Sequence, residues 1–249
     1  MLEDRTVNKV MERFAKIPNL LLLGNNKLSK VPIFSFVIST KEGRMLNPQI
    51  VTCLFNDLFG IQTRSGCACA AMYGAALLQI DSQMQQMFKE ATISGNDVLK
   101  PGFTRLNFIY FFTDDEIDYV LWATEFICMF GWMFLPKYKL NLEKKSWFWK
   151  GSEDPGIVNL DDIDYSSGAL QKKHNSNRPF KLVDPCQIKS FEHYKREAKK
   201  HLVDVVKGYE TDSEILGRDT KSSIPDEYKK LIWFLYPQEV AKELKKFNE

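Results

Sequence analysis

The tetrapeptide Thr113-Asp114-Asp115-Glu116 stands just before the most apolar stretch of the chain, Tyr119 to Leu135, and dictates how that stretch can be used. Thr followed three positions later by Glu is a capping box, in which the Thr hydroxyl accepts from the Glu N–H while the Glu carboxylate accepts from the Thr N–H. A helix therefore begins here and runs to about Phe130. The stretch falls short of the roughly 20 apolar residues that span a bilayer and carries Thr124 and Glu125, so it predicts a buried core helix. The rest of the chain must supply the surfaces that cover it.

Those surfaces are legible as alternating short strands and helices. Val7, Val10, Met11 and Phe14 lie on one helical face, and Pro18 disfavours helical geometry just before itself, so the first helix stops near Ile17. Leu20 to Leu23 and Ile33 to Ser39 are short apolar runs bounded by Gly, Pro and Asn, as strands are. Asn47-Pro48 is a helix start, with Asn as cap and Pro where its missing N–H costs nothing. That helix ends by Gly60. Ile61 to Ser65 predicts a short strand, Ala68 to about Met87 a helix, and the aromatic run Phe103 to Phe111 another strand.

This order predicts an α/β unit of α+β character over residues 1–149, a short mixed sheet covered by helices. Residues 150–187 change to Gly, Ser, Asp, Asn and Pro and predict a linker, and residues 188–249 predict a helical C-terminal extension.

With 249 residues and 44% hydrophobic content the chain can bury a real core. The 34 basic and 32 acidic residues nearly cancel, which calls for neither nucleic acid nor an anionic membrane surface. The start, Met1-Leu2-Glu3-Asp4-Arg5, has no secretory pattern, and five cysteines are an odd number for a disulfide framework, so free thiols and a cytoplasmic setting are expected.

Two segments could carry chemistry. Arg64-Ser65-Gly66-Cys67-Ala68-Cys69-Ala70 joins a cation and two thiols in a turn of small residues. A cation or a helix N-terminus beside a thiol favours the reactive thiolate, whereas small cysteines packed beside Ala and Gly are inert; the spacing alone leaves both readings open. One Cys-x-Cys pair without a second pair is not a zinc site. In the other segment, Arg105 sits inside an aromatic strand, where a cation is costly to bury unless an anion meets it. A substrate carboxylate and a structural salt bridge are both open there. Phosphate-loop, dinucleotide, zinc-protease and serine-hydrolase signatures are absent from the sequence.

Taken in order, these segments resemble the C-terminal small domain of fold-type I pyridoxal-phosphate enzymes of the class V aminotransferase and cysteine desulfurase superfamily. Ile33-Phe-Ser-Phe-Val-Ile resembles the first small-domain strand, and Leu46-Asn-Pro-Gln-Ile-Val with Leu54-Phe-Asn-Asp-Leu-Phe-Gly-Ile the helix after it. Arg64-Ser-Gly-Cys-Ala-Cys-Ala is similar to the family's Arg-x-Gly-x-x-Cys-Ala turn, and Lys100-Pro-Gly-Phe-Thr-Arg105-Leu-Asn-Phe to its strand whose arginine holds the substrate α-carboxylate.

The resemblance implies Arg105 as the substrate-carboxylate ligand, Arg64 as its assistant, and Cys69 as a candidate nucleophile at the desulfurase sulfur-accepting position. It implies pyridoxal 5'-phosphate as cofactor, an amino acid as substrate and a homodimer built through a large domain. The family's Schiff-base lysine belongs to that large domain, usually as His-Lys, and no His-Lys dipeptide occurs here. The expectation is a partial enzyme inactive alone, with a non-catalytic binding or regulatory partner as the alternative.

Overall fold

Helix α1 (Leu2–Phe14) and the core helix lie side by side because their charges match as well as their apolar faces. In the computed structural model Arg5 pairs with Asp114 at 2.7 Å, Lys9 with Asp118 at 2.8 Å, and Arg13 with Glu125. The last pair explains a carboxylate within an apolar helix. The structure describes residues 2–40, 43–66, 71–141, 146–150, 163–168, 171–172, 189–208, 224–237 and 239–240.

After α1 come strands β1 (Leu20–Leu22) and β2 (Ile33–Ile38), then α2 (Pro48–Phe59). The Asn47 side chain accepts from the Gln49 N–H at 2.9 Å, and Gly60 closes α2 at φ 65°, a left-handed geometry that a residue without Cβ adopts freely. Strand β3 (Arg64–Gly66) follows, then α3 (Ala71–Leu77) and α4 (Ser82–Ile93). The single helix expected from Ala68 to Met87 is broken: Gln79 takes φ 55° and the Asp81 side chain caps a new helix by accepting from the Met84 N–H at 2.8 Å.

Strand β4 (Phe103–Asn107) is shorter than the run to Phe111, because the Phe112 N–H turns back onto the Ile109 carbonyl. Helix α5 (Asp114–Phe130) carries the complete capping box, with Thr113 N–H to Glu116 at 2.7 Å. By length and composition the stretch Asp114–Lys137 could cross a membrane, but 67% of its apolar window is buried within the fold, as in a core helix.

The hairpin β5 (Tyr138–Asn141) and β6 (Ser146–Trp149), unforeseen from the sequence, comes next. Within the expected linker, β7 (Ile163–Asp164) pairs with β8 (Gln171–Lys172), and α6 (Phe191–Gly208) follows. The helix expected over 225–247 begins instead as a 3-10 turn, Asp226–Leu231, before an extended segment.

The main sheet has the order β1-β2-β4-β3, and its ladders are all antiparallel. A parallel bridge, Met45 to Phe234, ties the C-terminal segment to the chain just after β2. The molecule is thus of the α+β kind, a small sheet packed against helices. One sheet face bears Phe34, Phe36, Ile38, Leu106 and Phe108, all buried in the main core with α1, α2 and α5. Phe34 meets Phe14 at 5.6 Å and Phe108 at 5.7 Å, both edge to face, the geometry that ring quadrupoles favour.

Ala198 and Val205 of α6, with Leu231, Phe234, Tyr236 and Val240, are buried in the same core. The Trp233 indole donates to the Leu99 carbonyl at 2.9 Å, and Arg44 donates to the Phe234 carbonyl at 2.9 Å. The described residues between 189 and 240 are therefore packed into the core of 1–149.

Candidate anion site on the open sheet face

Among the described residues the opposite sheet face is thinly covered. Strand alternation places Val37 and Phe103 there, and with Leu23 they form a small buried cluster against Met45, Leu77 and Leu78. On the same face Leu21, beside Val37 on the edge strand, and Ile33, at the far end of β2, stay 54% and 44% exposed.

The register across this face is specific. Ser35 pairs with Arg105 across β2 and β4, and Arg105 pairs with Arg64 across β4 and β3. One row of the sheet therefore reads Ser35, Arg105, Arg64, with all three side chains on the same side. Arg105 is partly buried and Arg64 exposed. Among the described residues neither guanidinium has a hydrogen-bond or ion-pair partner. Like charges directly opposite in a ladder oppose folding by about 0.2–1 kcal/mol. An oxyanion received between two planar guanidinium forks reverses that sign and gains charge-assisted, bidentate hydrogen bonds.

Two glycines make the row possible. Gly66 ends β3 at φ 110°, where a side chain is strained. A Cβ on Gly102 would stand 3.0 Å from the Gly66 Cα, close enough that a side chain there would push the two backbones apart by a few tenths of an ångström. The Gly of Arg-x-Gly and the Gly of Lys-Pro-Gly thus serve one purpose: they bring the two arginine-bearing strands together.

Arg64 and Arg105, expected to act together, are brought together. Cys69, the expected nucleophile, lies outside the described residues with its neighbour Cys67. The described thiols are of another kind: burial, aided by Asp57, pushes Cys53 up to about 12, and burial pushes Cys128 up as well. Protonated at neutral pH, they are packing groups.

The described residues do not compose a pyridoxal-phosphate pocket. No lysine or carboxylate among them is buried. Lys30, whose ammonium is disfavoured by partial burial, sits over the Phe34 ring at 5.6 Å and donates to Asn26 at 3.0 Å. An internal Schiff base needs a lysine free to reach the cofactor, and a pyridinium nitrogen needs a buried carboxylate. The described face offers cations for an anion and nothing for the ring.

Ser35 is the member of the row that residue-type reasoning missed. Its signal was the alternation Phe34-Ser35-Phe36, a polar residue on the face opposite two core aromatics. No protein-family model matches the chain, and no curated protein matches it.

Proposed function

We propose that this chain is the small-domain part of a pyridoxal-phosphate-dependent enzyme of the class V aminotransferase and cysteine desulfurase kind, acting on an amino acid. Arg105, helped by Arg64, receives the substrate carboxylate. The single observation that carries this reading is the cross-strand pairing of two arginines without a carboxylate partner among the described residues. Structural arginines in a ladder are normally met by Asp or Glu, since an unmet cation is unfavourable there. Among the described residues no carboxylate meets either arginine, and in this reading the substrate supplies it.

The thin cover of the same face supports a large domain docking over it, since Leu21 and Ile33 flank the row and remain exposed. A docked domain would supply the lysine, the carboxylate and the phosphate site, and would exclude water from the arginine row, strengthening its hold on a carboxylate. In this reading the chain's own work is binding and orientation; it is inactive alone. Cys69 is the proposed nucleophile only if the reaction transfers sulfur.

The test is to capture the native protein from its source cells with an antibody against residues 189–208 and to treat it with borohydride. A species well above 28.9 kDa carrying a reduced, covalently fixed pyridoxyl group is expected. A species at 28.9 kDa with no fixed pyridoxyl group, from cells where authentic pyridoxal enzymes label, overturns the reading and leaves a non-catalytic binding partner.

A further inference from the structure

Helices α3 and α4 diverge from the break at Gln79, leaving between them a groove of about 530 Å³. That volume lies within the range of small-molecule sites. Its floor is apolar: Ala75, Leu78, Phe88 and Phe103 line it, and Ile93 extends it to a rim where that side chain is 76% exposed. A groove of this kind removes an alkyl or aryl chain from water, at about 25 cal/mol for each Å² buried.

The polar groups of the lining are mostly committed elsewhere. Gln85 Nε2 donates to the Ile80 carbonyl at 2.9 Å, Gln86 Nε2 to the Glu90 carboxylate at 2.8 Å, and Thr92 Oγ1 to the Phe88 carbonyl at 2.7 Å. Lys89 and Lys100 also line the groove, both exposed, and neither has a hydrogen-bond or ion-pair partner among the described residues. Among the described residues the lining includes no Asp or Glu; nearby Asp81 is spent capping α4, and Glu90 is bonded to Gln86. An apolar floor lined also by two exposed lysines, with no carboxylate among the described lining residues, selects a molecule with an apolar body and a negative head.

We propose that the α3–α4 groove binds an anionic amphiphile, an alkyl chain with a single carboxylate or phosphate head, the chain lying on Ala75, Leu78, Phe88 and Phe103 and the head between Lys89 and Lys100. This site is separate from the arginine row, although Phe103 lies two residues from Arg105 on the same sheet face. An amphiphile here would bear on how the strand carrying Arg105 is packed.

Calorimetric titration of the full 249-residue chain with decanoate, decyl phosphate and decanol, below their aggregation concentrations, tests it. Saturable one-to-one binding of an anionic amphiphile is expected, with decanol at least about tenfold weaker, the scale of a lost charged hydrogen bond. Decanoate against decyl phosphate then identifies the preferred head. Lys89→Met with Lys100→Met removes both cations and keeps the stems, and should weaken binding by about tenfold or more. Ile93→Glu, at an exposed position that folding does not need, should do the same by placing a like charge at the mouth. Equal binding of decanol and the anions, or binding unchanged by both variants, overturns the proposal. So does saturable binding of an acidic amphipathic helical peptide where neither anion binds, which would make the groove a protein-docking site.

Discussion

Arg64 and Arg105 stand directly opposite one another in the β3–β4 ladder, their side chains on the same open face of the sheet. The pairing puts two cations where a ladder ordinarily puts a cation and an anion. In the proposed reading the arrangement trades some stability of the free chain for a preformed anion receptor.

That trade is measurable. At low ionic strength Arg64→Met should stabilise the chain by about 0.2–1 kcal/mol, because it removes a like-charge cross-strand pair. Denaturant unfolding of the two proteins at low salt and at 1 M salt checks this. The difference should shrink at high salt, where the Debye length falls to about 3 Å.

Burial of Cys53 makes a prediction about alkaline pH. In the unfolded chain this thiol loses its proton near its ordinary 9.0, but in the folded chain it keeps the proton up to about 12. Between those values the folded state binds more protons, so stability falls as pH rises and is fully present below the window. The slope of unfolding free energy against pH from 9 to 12 should be shallower for Cys53→Ala than for the wild type. Full burial predicts that at neutral pH iodoacetamide modifies Cys128 only as fast as the chain opens, which peptide mapping after a timed pulse resolves.

The start of α5 rests on Thr113, whose hydroxyl accepts from the Glu116 N–H at 3.2 Å. Thr113→Ala should cost about 1 kcal/mol, with Thr113→Ser restoring most of it. Chemical denaturation of the three proteins reads this, and equal loss in both variants would assign the effect to the Thr methyl.

Phe234 ties the C-terminal segment to the rest. It is fully buried, stacks on Tyr236 at 5.1 Å, and takes part in the bridge to Met45. Phe234→Ala should cost about 3–5 kcal/mol and leave one unfolding transition, since the cavity opens in a core shared by both ends of the chain. Two resolved transitions by calorimetry would mean that residues 189–240 fold as a unit of their own.

Local chemistry was legible wherever neighbouring residues satisfy one another. Asn47 with Pro48, and Thr113 with Glu116, announce their helices because the caps are closed by residues two or three positions away. The break between α3 and α4 was hidden because a Gln rather than a Gly adopts positive φ at position 79. The hairpin β5–β6 was hidden in the same way, its register being set by cross-strand partners such as Tyr138 and Trp149 that sequence spacing does not pair. At the site, the resemblance singled out Arg64 and Arg105, but their shared face depends on the ladder register, a long-range fact. Ser35 joined them for the same reason. The pairing of Gly66 with Gly102 likewise becomes meaningful only when two distant backbones are seen to touch.

The most direct test of the arginine row as a carboxylate receptor is the melting temperature of the chain as L-alanine is added at constant ionic strength, set against L-alaninamide, which lacks the carboxylate. A ligand that binds only the folded state raises the melting temperature in step with its occupancy. A saturable rise with L-alanine, absent with L-alaninamide and abolished by Arg105→Met, is the predicted result. The same rise in Arg105→Met, or no difference between the two ligands, would contradict the account.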